Sequence, residues 1–422
     1  MGLKNISRCQ NGGPMVDPAA EQSTPTPSVR LERILPFLTL TVFLDLVGFG
    51  IILPLLPSYI AEMGGTPQMV GVLLASFAAS QLVATPILGR ISDRYGRRRV
   101  IVQSLVANVI AMMVFAVAAS RHALWLLFVS RLIAGATSGN IGACQAAIAD
   151  IASGPERVRA MGRLGAGIGL GMMLGPWIGG RASALGEIAP PLAAAGMALV
   201  ALAGVMVFLP ETNPAVVSDD PKAKPVARPR LSLGALLSNP KIVIVMGLYF
   251  LSFLYMTNLA TALALLAGDR FQWGKDRVGD LFGLFGLVSL VTQFVIVGPV
   301  SRRVSSANVV LGAGLLAAAA LGTIGFTPVS AGLVVGIVML ATAVGLTQPQ
   351  LASLASHFAG PSQQGTVLGF SQASGSLARA IGPLLWGALY QHFGPTASFI
   401  GGAFAAIFAA AASVRARGGA DA

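Results

Sequence analysis

Acidic residues are scarce in this sequence, which has 16 Asp and Glu against 28 Lys and Arg among 422 residues. Only 10% of the chain is charged and 55% is hydrophobic, which excludes an ordinary water-soluble globular protein. The two cysteines exclude a disulfide framework, and the three histidines lack the spacing of a zinc site. No Gly-Lys-Ser/Thr motif is present, which argues against a nucleotide-binding enzyme. The sequence therefore predicts a protein with no cofactor, no resident metal and no enzymatic function.

Long apolar stretches make up most of the chain. Each is long enough for a helix to cross the roughly 30 Å hydrocarbon core of a membrane. Membrane-spanning β-strands would be about ten residues long and would alternate in polarity, so these stretches predict helices. The expected fold class is all-α integral membrane, with twelve transmembrane helices. The predicted spans are residues 34–58, 69–88, 100–118, 124–149, 161–180, 189–209, 242–267, 279–299, 308–326, 330–351, 365–389 and 396–414.

The net charge of +12 comes mainly from basic residues placed between the spans. If the N-terminus faces the cytoplasm, 21 of the 28 Lys and Arg residues fall in the tails and the cytoplasmic connections. This bias is the usual orientation signal of membrane proteins. It predicts a multi-pass protein of the plasma membrane, the bacterial inner membrane, with both termini in the cytoplasm. The lipid bilayer rather than a nucleic acid is then the expected partner of the basic surface, and we expect a monomer.

Two short patterns recur in the second half of the chain at nearly the same offset. Residues 89–94, at the end of the second span, resemble residues 298–303 at the end of the eighth. The Gly-Pro pair at 175–176 likewise matches the pair at 382–383. These offsets predict two pseudo-symmetric halves of six helices each. The predicted domains are an N-terminal tail, a first bundle, a central loop, a second bundle and a C-terminal tail, at residues 1–33, 34–209, 210–241, 242–414 and 415–422.

Asp45 is an acid in the middle of the first predicted span. A carboxylate near the bilayer centre costs roughly 2.5–3.5 kcal/mol on insertion scales, so such residues usually have a function. Loss of hydration favours the neutral carboxyl group, which would let Asp45 bind and release a proton. Arg131 in the fourth span is the second candidate for proton coupling. The alternatives are a structural acid satisfied by Arg131 or by a hydroxyl, and an arginine that snorkels to the membrane surface.

A glycine- and arginine-rich loop follows the second span, and Gly96 within it permits a tight turn. The charged side chains of this loop can pair with neighbouring helix ends, and Asp150 at the end of the fourth span is a candidate partner. The alternative is a basic loop that only sets the topology. The candidate gating residues are Gly89, Asp93, Arg94, Gly96, Arg97, Arg98 and Asp150.

Glycine recurs at every fourth residue in the fifth span. This spacing places the glycines on one face of a helix, where another helix can approach backbone to backbone. Close packing alone is one explanation of the pattern. The residues of this motif are Gly167, Gly171, Gly175, Pro176, Gly179 and Gly180.

Sparse polar side chains in the apolar spans are candidates for the lining of a substrate cavity. We expect only some of them to face it, since aromatic residues in spans more often serve packing. Arg379 either lines the cavity or pairs across the interface between the halves. The candidates are Asn140, Gln145, Tyr249, Tyr255, Asn258, Gln348 and Arg379.

These motifs resemble those of the major facilitator superfamily over residues 33–414. The first span around Asp45 and the Gly-Pro-Trp-Ile-Gly-Gly segment from Gly175 are very similar to those of twelve-span drug:proton antiporters, the tetracycline-resistance exporters included. The resemblance implies a secondary active transporter that exports a small lipophilic molecule or drug in exchange for protons by alternating access. It further implies that Asp93 and Arg97 form a latch that stabilises the outward-facing state, and that Arg131 takes part in proton transfer.

Two features depart from the tetracycline exporters that the chain resembles. Those exporters carry a histidine in the eighth span where this chain has Ser289, and an acid in the ninth span, where this chain has none. The composition of the spans favours a lipophilic, neutral or weakly cationic substrate. One alternative is an importer or facilitator of a metabolite or sugar, against which the fifth-span motif counts. The other is a non-transporting membrane scaffold or sensor.

Overall fold

Helices account for the regular secondary structure of the residues that the computed structural model describes, which are 27–152, 154–213, 238–359 and 364–417. The all-α prediction is therefore confirmed for these residues. The predicted N-terminal tail up to residue 26, the central loop from 214 to 237 and the C-terminal tail from 418 lie outside the described residues. The predicted domain boundaries stay a prediction.

The first part of the chain forms helices that begin and end close to the predicted spans. They are α1 (Pro27–Ile52), a 3₁₀ turn (Leu53–Leu55), α2 (Leu56–Glu62), α3 (Pro67–Tyr95), α4 (Arg97–Arg121), α5 (Leu124–Ala136), α6 (Asn140–Ile151), α7 (Gly154–Ser183) and α8 (Ala189–Phe208).

The second part of the chain repeats this alternation of long helices and short connections. Its elements are α9 (Pro240–Phe271), α10 (Lys275–Val291), a π-helical turn (Thr292–Ile296), α11 (Val297–Ser301), α12 (Ser306–Phe326), α13 (Ser330–Phe358) and α14 (Gln364–Arg417).

Ten helical stretches of the described chain are long and apolar enough to cross a membrane. The last of them, Val367–Ala416, contains two predicted spans joined at Gly394, where the backbone is not helical (φ 82°). Helix α7 is not among the ten, although its 30 residues extend over roughly 45 Å. The chain is thus a multi-pass membrane protein, and the exact count of twelve spans stays a prediction.

Local sequence explains where several helices begin and bend. The side chain of Asn239 accepts a hydrogen bond from the backbone nitrogen of Lys241 at 3.0 Å, and Pro240 occupies the first turn, so α9 begins with a standard cap. Pro54 lies in the 3₁₀ turn between α1 and α2, because proline cannot donate the α-helical hydrogen bond. The predicted fourth span is broken at residues 137–139 into α5 and α6.

Four clusters of buried apolar side chains hold the helices together. The buried members of two clusters come from residues 31–209, and those of the other two come from residues 242–416. Large apolar side chains such as Val83, Val207 and Phe294 are exposed on the outside. A water-soluble protein rarely exposes a continuous apolar belt, whereas a lipid-facing surface requires one.

Two extensive helix contacts, among several smaller ones, connect the first part of the chain to the second. Helix α7 packs between α1 and α10, and α3 packs along α14. The two sets of helices, residues 27–213 and 238–417, therefore meet along these contacts. A cavity lies between them.

Candidate functional site

The cavity has a volume of about 390 Å³ and is lined by both sets of helices. A pocket of this size accommodates a drug-sized molecule. Most of its lining is apolar, with Phe49 and Phe77 from the first set of helices and Phe253 and Met256 from the second. The polar and charged lining residues are Asp45, Gln81, Ser104, Asn108, Arg131, Thr137, Ser138, Asn140, Thr257 and Arg379.

Asp45 on α1 is half-buried at the wall of this cavity. The amide nitrogen of Asn108 on α4 donates a hydrogen bond to Asp45 Oδ1 at 3.0 Å. The amide side chain of Asn140, at the start of α6, also lies beside this carboxylate. An ionised carboxylate accepts up to about four hydrogen bonds, so these amides hold it in place and leave acceptor positions facing the cavity.

Arg131 on α5 lines the same cavity but has no direct contact with Asp45. Its side chain is buried, with 3% of the residue exposed, and Nη2 donates to Ser130 Oγ at 3.2 Å. The guanidinium carbon lies 5.2 Å from the ring centre of Phe115. No carboxylate of the described residues lies within 4 Å of it, and its Nε has no hydrogen-bond partner there. The alternative in which Arg131 directly satisfies Asp45 is therefore not seen in this structure.

Arg379 on α14 brings a second cation to the cavity from the opposite set of helices. Its Nη2 donates to Ser376 Oγ at 2.7 Å, and its guanidinium lies 4.4 Å from the ring centre of Phe253. The part of the chain that the structure describes contains no carboxylate within 4 Å of this guanidinium. The sequence left two interpretations of Arg379 open, and the structure favours a cavity-lining position over an ion pair across the interface.

The other predicted cavity residues divide into two groups. Asn140, like Arg379, lines the cavity. Asn258 is instead buried between helices, where its Nδ2 donates to the backbone oxygen of Ser398 at 2.7 Å. The ring of Tyr249 is buried and stacks near Phe253 at 6.5 Å. The predicted residues that do not line the described cavity are Gln145, Tyr249, Tyr255, Asn258 and Gln348.

The predicted gating loop forms a charge network between the ends of α3, α4 and α6. Arg97 Nε donates to Asp150 Oδ2 at 2.9 Å, and Nη1 donates to Asp93. The side chains of Arg97 and Asp150 are 11% and 17% exposed, whereas that of Asp93 is 62% exposed. The buried part of the network is therefore the Arg97–Asp150 pair. Arg94 and Gly89 are exposed, and no neighbour crowds Gly89.

Glu211 is a member of this network that the sequence analysis missed. Its carboxylate accepts hydrogen bonds from the backbone nitrogens of Arg97 at 2.8 Å and Arg98 at 3.2 Å, and so caps the N-terminus of α4. Gly96 has φ 107°, and a Cβ atom there would collide with this carboxylate. The sequence feature that could have pointed to Glu211 is an acidic residue placed just after the apolar α8. The side chain of Arg98 donates to the backbone oxygen of Met206 at 2.7 Å, which ties α4 to α8.

The glycine motif of α7 faces mainly α1. A Cβ atom on Gly171 would lie 2.7 Å from the backbone oxygen of Phe43, and one on Gly175 would lie 2.6 Å from that of Val47. Gly167 and Gly179 likewise face the α1 backbone at Thr39 and Ile51, and Pro176 packs against Gly50. Gly180 faces α10, where a Cβ on it would lie 2.8 Å from Cα of Gly279. The motif therefore joins α7 to both sets of helices.

Polar contacts join the two sets of helices at one end of the molecule, which we call the Glu62 end and which holds residues 62–67, 183–189 and 271–275. Lys275 Nζ lies 2.7 Å from Glu62 Oε2 and 4.3 Å from the ring centre of Tyr59. Arg181 Nη2 lies 2.9 Å from Asp280 Oδ1. The backbone nitrogen of Gln68 also donates to Gln391 Oε1 at 3.1 Å. These contacts close the interface at the Glu62 end. The end of the bundle that holds Asp93 and Arg97 is called the Asp93 end.

Comparison with known proteins gives one consistent result. Residues 38–257 and 245–418 match the family model of the Major Facilitator Superfamily. The chain is 30% identical to the class C tetracycline resistance protein of Escherichia coli over 356 residues, 83% of this chain and 88% of that protein. It is 32% identical to the class G protein of Vibrio anguillarum over 360 residues, 83% of this chain and 89% of that one.

A solved structure shows the same relationship in three dimensions. The crystal structure of the human organic anion transporter MFSD10 superposes with a TM-score of 0.67 at 25% identity, covering 90% of this chain and 99% of that chain. Paired sets of membrane helices around a shared cavity define a multi-pass transporter. The chain belongs to the Major Facilitator Superfamily, and its similarity to tetracycline resistance proteins confirms the predicted relationship to drug exporters.

Proposed function

We propose that this transporter exports a small lipophilic molecule or drug in exchange for protons. The observation that carries the proposal is Asp45, a carboxyl group on a membrane helix that faces a cavity large enough for such a molecule. Charged groups within membrane helices usually mark substrate or proton pathways. The similarity of the chain to tetracycline resistance proteins supports export over uptake.

Exchange follows if a proton and the substrate compete for Asp45. With the proton released, Asn108 and Asn140 stabilise the carboxylate, which attracts a positively charged or polarised group of the substrate. Protonation removes that charge and weakens the attraction, so the substrate leaves. Arg131, which keeps an unpaired Nε beside the cavity, is the proposed partner of the carboxylate in another stage of the cycle.

The two halves are proposed to rock about the cavity so that it opens alternately to each side of the membrane. The polar contacts at the Glu62 end support a state that is closed there. In this state Asp93 is paired with Arg97 but remains largely exposed, so its carboxylate can exchange this partner for a group on the other half when the Asp93 end closes. The excess of basic residues at the Asp93 end supports a cytoplasmic location for it and for both termini in the bacterial inner membrane.

Accumulation of ethidium in an efflux-deficient bacterium tests this proposal. Cells that make the protein should accumulate less dye than vector controls, and a protonophore should abolish the difference. Asp45→Asn should behave like the vector, whereas Glu32→Gln, an exposed acid on the same helix, should export like the original protein. If Asp45→Asn exported the dye as well as the original protein does, the proposed role of Asp45 would be refuted. Higher dye content than in vector cells would favour the importer, and no effect across a panel of lipophilic dyes would reject multidrug export.

A further inference from the structure

Charged side chains line the cavity from both sets of helices: Asp45 and Arg131 come from the first set, and Arg379 comes from the second. Asp45 projects from α1. Among the described residues that line the cavity, it is the only one with a carboxyl group. Arg379 projects from α14, where Ser376 and the ring of Phe253 hold it. A guanidinium in a low-dielectric site without a carboxylate partner is costly unless another anion compensates it. Arg379 therefore offers a binding position for an anionic group.

Between these charges the wall of the cavity is aromatic and aliphatic. The rings of Phe49 and Phe77 lie 5.3 Å apart in a tilted arrangement on the first set of helices. Phe253, held under the guanidinium of Arg379, lines the cavity from the second set. Such surfaces bind a flat or bulky apolar body by stacking and by burial of apolar area.

We propose that the substrates of this cavity are amphipathic zwitterions, in which an apolar body carries a cationic group and a carboxylate. The cationic group binds Asp45 and the carboxylate binds Arg379, so that one molecule touches both halves. This proposal rests on the proposed proton exchange, and it narrows the lipophilic, neutral or weakly cationic substrate that composition alone favoured.

A molecule with only one charge fits the cavity less well. A simple anion at Arg379 does not compete with a proton at Asp45, and its negative charge favours the protonated acid, so the two would bind together rather than exchange. A simple cation competes at Asp45 but leaves Arg379 without a counter-charge. The carboxylate of a zwitterion compensates the charge of Arg379, and its cationic group at the same time displaces the proton from Asp45.

Rhodamine B and its ethyl ester test the proposal, because they share one cationic aromatic body and only the former carries a carboxylate. Fluorescence anisotropy with the purified protein in detergent gives the affinity for each dye. The original protein should bind rhodamine B about tenfold more tightly than the ester, the effect of one charge-assisted hydrogen bond. Arg379→Gln should remove this preference by weakening rhodamine B alone, and Arg379→Lys should restore part of it. Arg121→Gln, an exposed arginine, is the matched control.

The outcomes separate the substrate proposal from the proton-exchange proposal. Equal affinity of the original protein for the two dyes, or no binding of rhodamine B, would overturn the zwitterion proposal. An equal loss of affinity for both dyes in Arg379→Gln would also overturn the zwitterion proposal, since that pattern indicates a structural role for Arg379. Proton release on dye binding, measured in weakly buffered solution and lost in Asp45→Asn, reports the exchange separately. Retained dye preference without proton release would refute the exchange alone.

Discussion

Replacing Gly175 by alanine should loosen the contact between α1 and α7. A Cβ atom there would lie 2.6 Å from the backbone oxygen of Val47 and 2.7 Å from Cα of Gly50. Carbon atoms pack best at about 3.5–4.0 Å, so the two helices must separate locally by roughly 1 Å. The crowded atoms belong to the backbone, and therefore no side-chain rotation relieves the contact.

The magnitude follows from two opposing effects. Overpacking costs about 1–3 kcal/mol, and alanine is favoured over glycine within a helix by up to roughly 1 kcal/mol. We expect a net loss of about 1–2 kcal/mol in Gly175→Ala. Gly165→Ala is the matched control, since Gly165 lies on the same helix, is exposed and has no atom within 4 Å of its added Cβ. This control should leave stability unchanged or raise it.

Thermal unfolding of the purified protein in detergent gives the comparison. The apparent Tm of Gly175→Ala should fall below that of the original protein, and that of Gly165→Ala should not. Dye export by Gly175→Ala should fall as well, because α7 contacts both sets of helices. A Tm of Gly175→Ala equal to or above that of Gly165→Ala would refute the inference that close backbone packing holds this joint.

The remaining predictions concern the two ends of the bundle. Asp150→Asn should destabilise the protein by about 3 kcal/mol because it leaves the buried Arg97 guanidinium without its main partner. The exposed Asp93→Asn should change stability by less than about 1 kcal/mol while slowing export; equal losses of Tm would contradict this ranking. Lys275→Gln should shift the population toward opening of the Glu62 end by at most about fivefold, since a partly exposed ion pair contributes about 1 kcal/mol or less. Spin labels at Ala61 and His392 should then show longer distances, and an unchanged distribution would rule out a closing role for Lys275.

Patterns confined to one helix could be predicted from the sequence. Apolar length located the helices, because a span must satisfy its own backbone hydrogen bonds within the membrane. Glycine at every fourth residue identified the face of α7 that packs closely, because that spacing follows from helical geometry. The pairing of Arg97 with Asp150 followed from charge and topology together, since both lie at the same end of neighbouring helices.

Properties that depend on helix rotation and on contacts between distant segments could not be predicted. Asn258 and Asn140 look alike as polar residues in apolar spans, yet only Asn140 faces the cavity. The amide partner Asn108 of Asp45 carries no local signal, because the contact joins α1 to α4. Glu211 stands out as an acid just after the apolar α8, but its role as a helix cap depends on residues more than one hundred positions away and could not be inferred locally.

The placement of the glycines on α7 has a consequence for how such a transporter changes its specificity. Gly171 and Gly175 contact α1, whereas Ile168 and Met172 of the same helix line the cavity. Side chains that line the cavity and backbone surfaces that contact α1 therefore occupy different faces of one helix. Mutations at Ile168 or Met172 can therefore alter the cavity wall without disturbing the close contact between α1 and α7. If the cavity binds the substrate as proposed, specificity can change through substitutions on one face of α7, while the glycine face keeps its contact with α1.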